Sequence, residues 1–159
     1  MRQIGKELNI GLAPMEGVTD YPLRVWLHLI SRPDFLCTPF LRATETYPHK
    51  EWPKDFCPEL TGNLSAHYKT IPQIMAKNAK DFINAYTLAA EHIDTIDINC
   101  GCPAPLAVGR GAGSSILKDP GLFEETITEI SEALGPNKLG VKMRLGFEND
   151  HLFPELIER

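Results

Sequence analysis

The sequence predicts an α/β fold in which a parallel β-sheet is built from repeated strand and helix units. Two observations predict this fold. Short apolar segments recur along the 159 residues, each followed by a turn signal, and amphipathic helical stretches lie between them. Strands that alternate with helices pair in parallel and are covered by those helices. The predicted strands are residues 10–14, 35–40, 59–65, 95–99 and 139–145.

The helices predicted in the first half of the chain follow the first and third strands. The segment after IGLAP predicts a helix over residues 19–29, with Thr19 or Asp20 as its N-cap, because short polar side chains accept from the first free amides of a helix. The strands FLCTPF and ELTGNLS precede a helix predicted over residues 72–91, where apolar residues recur at helical spacing.

The second half of the chain repeats this pattern. Between the strands TIDIN and LGVKMRL, a helix is predicted over residues 120–134, because proline begins it and Gly135-Pro136 ends it. The final segment, FPELIER, predicts another helix that is cut after two turns. A complete eight-stranded barrel needs about 250 residues. We therefore expect a chain truncated before strands 6–8.

The polar residues within the strands narrow the architecture to a barrel. In TIDIN, Thr95, Asp97 and Asn99 share one face and the two isoleucines share the other, and in VKMR, Lys142 and Arg144 share one face. An open doubly wound sheet has apolar residues on both faces of its central strands, whereas a barrel with an interior active site accepts polar groups near its C-terminal rim. The sequence therefore predicts the first five or so units of a (β/α)₈ TIM barrel.

Charge and cysteine content limit the possible functions. The formal net charge of -5 gives no general basic surface, so binding of nucleic acid would need a local cationic patch. No apolar run approaches the ~20 residues of a membrane span, and no signal peptide is evident, so we expect a cytoplasmic protein. The four cysteines are expected to be reduced, and Cys-x-Cys without a second ligand pair does not predict a zinc site.

Five motifs occur in order and at plausible spacing: APMEGVTD (13–20), CTPFLRA (37–43), DINCGCP (97–103), GRGAGSSILKDP (109–120) and VKMRLG (141–146). They resemble the successive signatures of the tRNA-dihydrouridine synthases. The resemblance covers almost the whole chain, and the Cys-Gly-Cys-Pro segment resembles that of the bacterial C-type branch, which acts on uridine 16 of tRNA.

The resemblance implies a flavin-dependent (β/α)₈ barrel with a C-terminal helical RNA-binding domain, FMN as cofactor, NADPH as electron donor and tRNA as partner. Residues 1–159 would then be a partial catalytic domain, without the last strands, the flavin phosphate site and the helical domain. Bare sheet edges and an exposed barrel interior are expected to make the isolated chain self-associate.

The resemblance assigns the general acid to Cys102, the cysteine immediately before the proline. A thiol with an ordinary pKa of ~8.5 is mostly protonated at neutral pH and can give up its proton. Cys100 occupies a position where the family tolerates other residues. The alternative is that both cysteines are small buried apolar residues, as most free cysteines are. Asn99 is implied to contact the target base or the flavin, although it could also cap the strand end.

Basic side chains are implied at three further positions. Lys142 resembles the family's flavin-contacting lysine, whose ammonium would stabilise negative charge on a reduced flavin. Arg144 and Arg110 are implied to contact the substrate, because a guanidinium matches phosphate oxygens. The alternative for Lys142 is a strand-end lysine that extends to solvent. The glycine-rich loop around Arg110 lacks the residues of a nucleotide phosphate loop.

The remaining implied flavin contacts come from Pro14, Met15 and Glu16, since the family lays the flavin ring against the backbone of this segment. The family commonly has glutamine in its third strand, where the sequence offers Asn63, and Thr-Glu in its second strand, where the sequence has Thr38-Pro39. Two other functions remain open: a flavin barrel oxidoreductase acting on a free pyrimidine, similar to dihydroorotate dehydrogenase, and a non-catalytic degenerate paralogue.

Overall fold

The computed structural model describes residues 9–62 and 68–158. These residues form a sheet of five parallel strands arranged in chain order. Parallel strands in sequence order, joined by helical segments, are the arrangement of the first units of a (β/α)₈ barrel, so the predicted fold is confirmed. The strands are β1 (Gly11–Leu12), β2 (Phe35–Arg42), β3 (Lys69–Met75), β4 (Ile96–Cys100) and β5 (Leu139–Met143).

Within the described ranges, six α-helices and two 3₁₀ helices connect and cover the strands. The predicted helix at 120–134 is confirmed to the residue, and Asp119 caps it by accepting from Gly121 N and Leu122 N. None of the helices in the described ranges is long and apolar enough to cross a membrane. The α-helices are α1 (Tyr21–Ser31), α2 (Trp52–Phe56), α3 (Ala79–Thr87), α4 (Pro105–Val108), α5 (Pro120–Leu134) and α6 (Phe153–Glu158), and the 3₁₀ helices are Pro58–Leu60 and Gly113–Lys118.

The third strand lies later in the chain than predicted. The predicted strand over 59–65 is wrong at its start, where a 3₁₀ helix ends at Leu60, and residues 63–67 are outside the described ranges. The predicted helix over 72–91 is wrong in its first part, because residues 69–75 form β3. The helix begins at Ala79, where Asn78 caps it by accepting from Asp81 N at 2.8 Å.

A bulge between β2 and β3 explains how a central strand accepts proline. The register shifts between Cys37 and Phe40, so the two residues Thr38 and Pro39 of β2 lie opposite the single residue Pro72 of β3. Neither proline can donate an N–H, and the bulge removes the need for one. The Thr38 hydroxyl instead accepts from Gln73 N at 3.2 Å, which fixes the backbone of β3 just after Pro72.

The two faces of the sheet carry different side chains. Leu41, Ile74 and Ile98 belong to the main apolar core between the sheet and its helices. Phe40 and Met75, which alternate with the core residues of β2 and β3, belong to a second and smaller cluster. Because neighbouring residues of a strand point to opposite faces, the smaller cluster lies on the concave face of the sheet, near its C-terminal edge.

A buried ion pair ties α1 to the start of β3. Arg24 donates to the Glu59 carboxylate at 2.8 and 2.9 Å, and both side chains are fully buried. Glu59 also accepts from the Thr70 hydroxyl at 3.0 Å. Arg24 also donates to the Thr19 carbonyl oxygen at 2.6 Å. The Thr19 hydroxyl in turn accepts from Met15 N and donates to the Met15 carbonyl oxygen. The ion pair therefore also holds the segment that follows β1.

Candidate active site

The two cysteines of the CGCP segment lie on opposite sides of the sheet. Cys100 is the last residue of β4 and is fully buried in the main core. Cys102 follows the strand end, is partly exposed, and packs against the smaller cluster that contains Phe40 and Met75. Cys102 is therefore on the side of the sheet where a barrel of this type binds its ligands, at the C-terminal rim.

Asn99 connects the Cys102 loop to the neighbouring strand. Its side-chain oxygen accepts from Gly101 N at 3.1 Å and from Cys102 N at 3.0 Å. Its amide nitrogen donates to Gln73 Oε1 on β3 at 2.6 Å. Because the oxygen is held by two backbone donors, the orientation of the Asn99 amide is determined, and the Gln73 amide must present its oxygen to it.

The Gln73 amide nitrogen is left as an unused donor. Gln73 is fully buried, and Nε2 has no hydrogen-bond partner in the described parts of the chain. Asp97, opposite Gln73 in the register, is near enough for the Gln73 amide to favour its charged form, but the two make no hydrogen bond of ordinary geometry. A buried donor without an acceptor costs free energy, so Nε2 marks a place where a bound group would supply one.

Three thiols of the chain are poor proton donors because they are buried. Burial raises the pKa of Cys37 to about 11, with a further contribution from the Asp97 carboxylate and opposition from the Lys142 ammonium. Burial also raises the pKa of Cys57 and of Cys100 to about 12. We call Cys37, Cys57 and Cys100 the buried thiols.

Lys142 and Arg144 lie at the other side of the Cys102 loop. Lys142 is the register partner of Asn99, is exposed, and is close enough to lower the pKa of Asp97. Burial nevertheless raises the pKa of Asp97 overall. Arg144 follows the end of β5, is exposed, and its backbone nitrogen lies 3.7 Å from the position of a Cβ on Gly101. The two basic residues therefore flank β4 on the β5 side.

The segment Pro14-Met15-Glu16 reaches the same rim from β1. Met15 is about half exposed, and its backbone is held by Thr19. Glu16 forms a bidentate ion pair with Arg42 at the end of β2, with distances of 2.9 Å to both carboxylate oxygens. The Arg42 guanidinium also lies 5.2 Å from the centre of the Phe40 ring, which belongs to the cluster around Cys102.

The glycine-rich loop packs directly on Cys102. Gly113 has φ 62°, and a Cβ there would lie 2.6 Å from the Cys102 carbonyl oxygen. Ser114 N donates to the same oxygen at 3.0 Å. Arg110 lies at the exposed end of this loop, on the wall of a cavity that Arg42 also lines. Glycine is required at position 113 because of both its dihedral angle and its close approach.

The amide contact to the flavin that the sequence predicts at Asn63 has a second candidate in Gln73. Asn63 lies outside the described residues. The sequence does not predict Gln73 as a site residue, because Pro72 is placed at the start of a predicted helix, whereas residues 69–75 form β3. The signal that could have found it is the run KTIPQIM, which is rich in β-branched residues and ends shortly before an Asn cap at residue 78.

Comparisons with known proteins identify the family of this chain. A family model described as "Dihydrouridine synthase (Dus)" matches residues 11–158. A tRNA-dihydrouridine(16) synthase of Yersinia pestis is 32% identical over 153 residues, which is 89% of this chain and 47% of the relative. The protein of the same name from Escherichia coli K12 is 31% identical over 89% of this chain and 46% of its own length. A probable tRNA-dihydrouridine synthase of Helicobacter pylori is 30% identical over 86% of this chain and 41% of its own length.

The extent of these matches has two consequences. The chain spans about half the length of the curated relatives that it matches. The family model extends over nearly all of the described residues, from β1 to α6. The chain therefore belongs to the dihydrouridine synthase family.

Proposed function

We propose that this chain forms part of an enzyme that reduces uridine in tRNA to 5,6-dihydrouridine, with NADPH as electron donor. The reduction adds a hydride at C6 and a proton at C5 of the uracil ring. The names of the relatives support this proposal, and those from Yersinia pestis and Escherichia coli specify uridine 16. A tRNA substrate also favours the cytoplasm as location.

The proposed cofactor is FMN, which when bound supplies the hydride for C6. The unused Gln73 Nε2 fits such a group, because the flavin ring system carries carbonyl and ring-nitrogen acceptors. We propose Gln73 as the amide contact in place of Asn63. Lys142 would stabilise negative charge on the reduced ring, and the backbone of residues 14–16, which is Pro14, Met15 and Glu16, would support its face.

Cys102 is the proposed general acid. Its thiol transfers a proton to C5 of the uracil ring, becomes a thiolate and is reprotonated from solvent. Asn99 holds the backbone of the Cys102 loop through two hydrogen bonds and so positions the thiol. Arg144 and Arg110, exposed on two sides of this loop, are proposed to contact the RNA.

The observation that carries the proposal is the connection from Cys102 through Asn99 to Gln73. One side chain fixes both the loop of the proposed acid and the orientation of an amide whose free nitrogen points away from Asn99. A purely structural asparagine at a strand end would not need a buried glutamine with an unused donor beside it.

The test measures dihydrouridine formed in unmodified tRNA by the whole enzyme of which this chain is proposed to form part, with FMN and NADPH, detected as the mass gain of two hydrogens. Cys102→Ala is expected to abolish product, whereas Cys100→Ala, two residues away on the other side of the sheet, is expected to retain it. Full activity of Cys102→Ala would remove this residue from the mechanism. Activity on a free pyrimidine but not on tRNA would favour the alternative resembling dihydroorotate dehydrogenase.

We also propose that the chain self-associates. The described sheet has β1 and β5 at its edges, and Val141 on β5 is 37% exposed. Unpaired strand edges with apolar side chains are templates for pairing. Size-exclusion chromatography with light scattering is expected to give a species larger than one chain, and a monomer across micromolar concentrations would contradict the proposal.

A further inference from the structure

A cavity of about 280 Å³ lies beside Cys102, between the C-terminal ends of β2 and β3 and helix α4. Three cations stand on its wall, Arg42, Lys77 and Arg110. The other lining residues are Ala43, Thr44, Met75, Leu106, Ala107 and Ala112.

The floor of this cavity is shared with Cys102. Met75, Ala107 and Ala112 line the cavity and also form the smaller cluster against which Cys102 packs. Leu106 is 56% exposed on α4, which leaves an apolar surface at the cavity mouth. The cavity and Cys102 therefore contact the same apolar residues.

Three cations give the cavity a positive charge, and two of them form no ion pair with a carboxylate in the described ranges. Arg42 is paired with Glu16. Lys77 and Arg110 are exposed and make no ion pair within residues 9–62 and 68–158, and no carboxylate lines the cavity. In a chain with a formal net charge of -5, this local excess of positive charge selects for an anionic ligand.

An apolar floor with two unpaired cations above it has the chemistry needed to bind one nucleotide of a single strand. The ribose and base can lie on the apolar floor, and the phosphate can accept hydrogen bonds from the cations. The volume is just below the range of about 300–1,000 Å³ that is typical of ligand sites, which suits one nucleotide better than a dinucleotide such as NADPH.

We propose that this cavity binds the RNA nucleotide adjacent to the target uridine, with its phosphate on Lys77 and Arg110. The inference rests on the proposed function for the identity of the RNA. It makes Lys77, which no motif of the sequence singles out, a substrate-binding residue.

The test is the salt dependence of binding to a fluorescein-labelled single-stranded RNA, followed by fluorescence anisotropy. The slope of log K against log salt is negative, and each lost phosphate contact reduces its magnitude by about 0.7 for a single strand. Between 50 and 200 mM NaCl, each contact therefore accounts for a loss of affinity of roughly 2.6-fold, and two contacts for roughly sevenfold. Lys77→Gln and Arg110→Gln are each expected to reduce the magnitude of the slope by about 0.7, and the double variant by about 1.4.

Lys138→Gln is the matched control. Lys138 is also exposed, but it precedes β5 and so lies at the opposite end of the strands from Cys102. Its removal changes the net charge equally and is expected to leave the slope unchanged. Circular dichroism spectra and thermal melts of all variants should match those of the unsubstituted protein, because all three lysine and arginine side chains are exposed.

The inference is overturned if the double variant keeps the slope of the unsubstituted protein, if Lys138→Gln reduces its magnitude equally, or if the unsubstituted protein does not bind the RNA. It is also overturned if the variants weaken binding of NADPH but not of RNA. RNA binding that depends on Lys77 and Arg110 without formation of dihydrouridine would support the cavity and contradict the proposed reaction, so the two failures are distinguishable.

Discussion

Replacing Glu59 by glutamine removes the charge from one half of a fully buried ion pair while keeping nearly the same volume. In the folded protein, the Arg24 guanidinium would then be buried without a counter-charge. Two of its donors, at 2.8 and 2.9 Å from the carboxylate, would face a neutral amide with one acceptor. Loss of one partner of a buried pair costs about 3–5 kcal/mol.

Glu59→Gln belongs at the lower end of this range, at about 3 kcal/mol, because two Arg24 bonds survive. These bonds go to the carbonyl oxygens of Thr19 at 2.6 Å and Phe56 at 3.0 Å. The assay is urea unfolding followed by circular dichroism, with the free energy of unfolding extrapolated to water.

Glu16→Gln provides the matched control. Glu16 also forms a bidentate pair with an arginine, but its side chain is 54% exposed and that of Arg42 is 32% exposed. An exposed pair contributes about 0–1 kcal/mol. Equal losses for the two variants, or a loss of less than about 1 kcal/mol for Glu59→Gln, would refute the reasoning from burial.

Three further predictions concern the candidate site. With iodoacetamide at pH 8, Cys102 is expected to be alkylated well before the buried thiols, because burial and a raised pKa suppress their thiolate forms. Peptide mass spectrometry identifies the labelled residue, and labelling of Cys100 at the same rate would contradict this prediction. Burial raises the pKa of Asp97, so the stability that its protonated form provides is full below about pH 4 and is lost as the pH rises through the raised value. Asp97→Asn is therefore expected to be more stable than the unsubstituted protein at pH 7, with the difference shrinking in acid, and a constant difference across a pH series of urea melts would be contrary evidence. Gly113→Ala is expected to cost about 1–3 kcal/mol more than Gly111→Ala in the same melts, because its added methyl group clashes with neighbouring atoms. Both residues have positive φ, at 62° and 77°, but only the Cβ at position 113 meets another backbone atom, so equal costs would contradict the clash.

The elements that could be predicted from the sequence are those whose signals are local. Helix α5 has a capping aspartate before its first turn and a glycine with φ 85° after its last, and its predicted bounds are confirmed. The strands β2, β4 and β5 were found within two residues at their ends, because branched apolar residues concentrate there.

The local signals at the third strand conflict, because the run KTIPQIM indicates a strand whereas Pro72 indicates the start of a helix. The strand's proline is acceptable only because the neighbouring strand bulges at Thr38-Pro39, and nothing near Pro72 in the sequence encodes that bulge. The error moved Gln73 into a predicted helix. It also hid the hydrogen bond between Gln73 and Asn99, which depends on the register of two strands 26 residues apart in sequence.

The position of Cys100 and Cys102 on opposite sides of the sheet also bears on damage by peroxide. A sulfenic acid formed at the accessible Cys102 is normally rescued when a second thiol nearby condenses with it. Cys100 is the nearest cysteine in sequence, but its sulfur lies in the core beneath the helices, and the two could meet only if β4 were pulled out of the sheet. Recovery of an oxidised Cys102 through a disulfide with Cys100 is therefore blocked in the folded protein, so a small external thiol is the ready partner for repair.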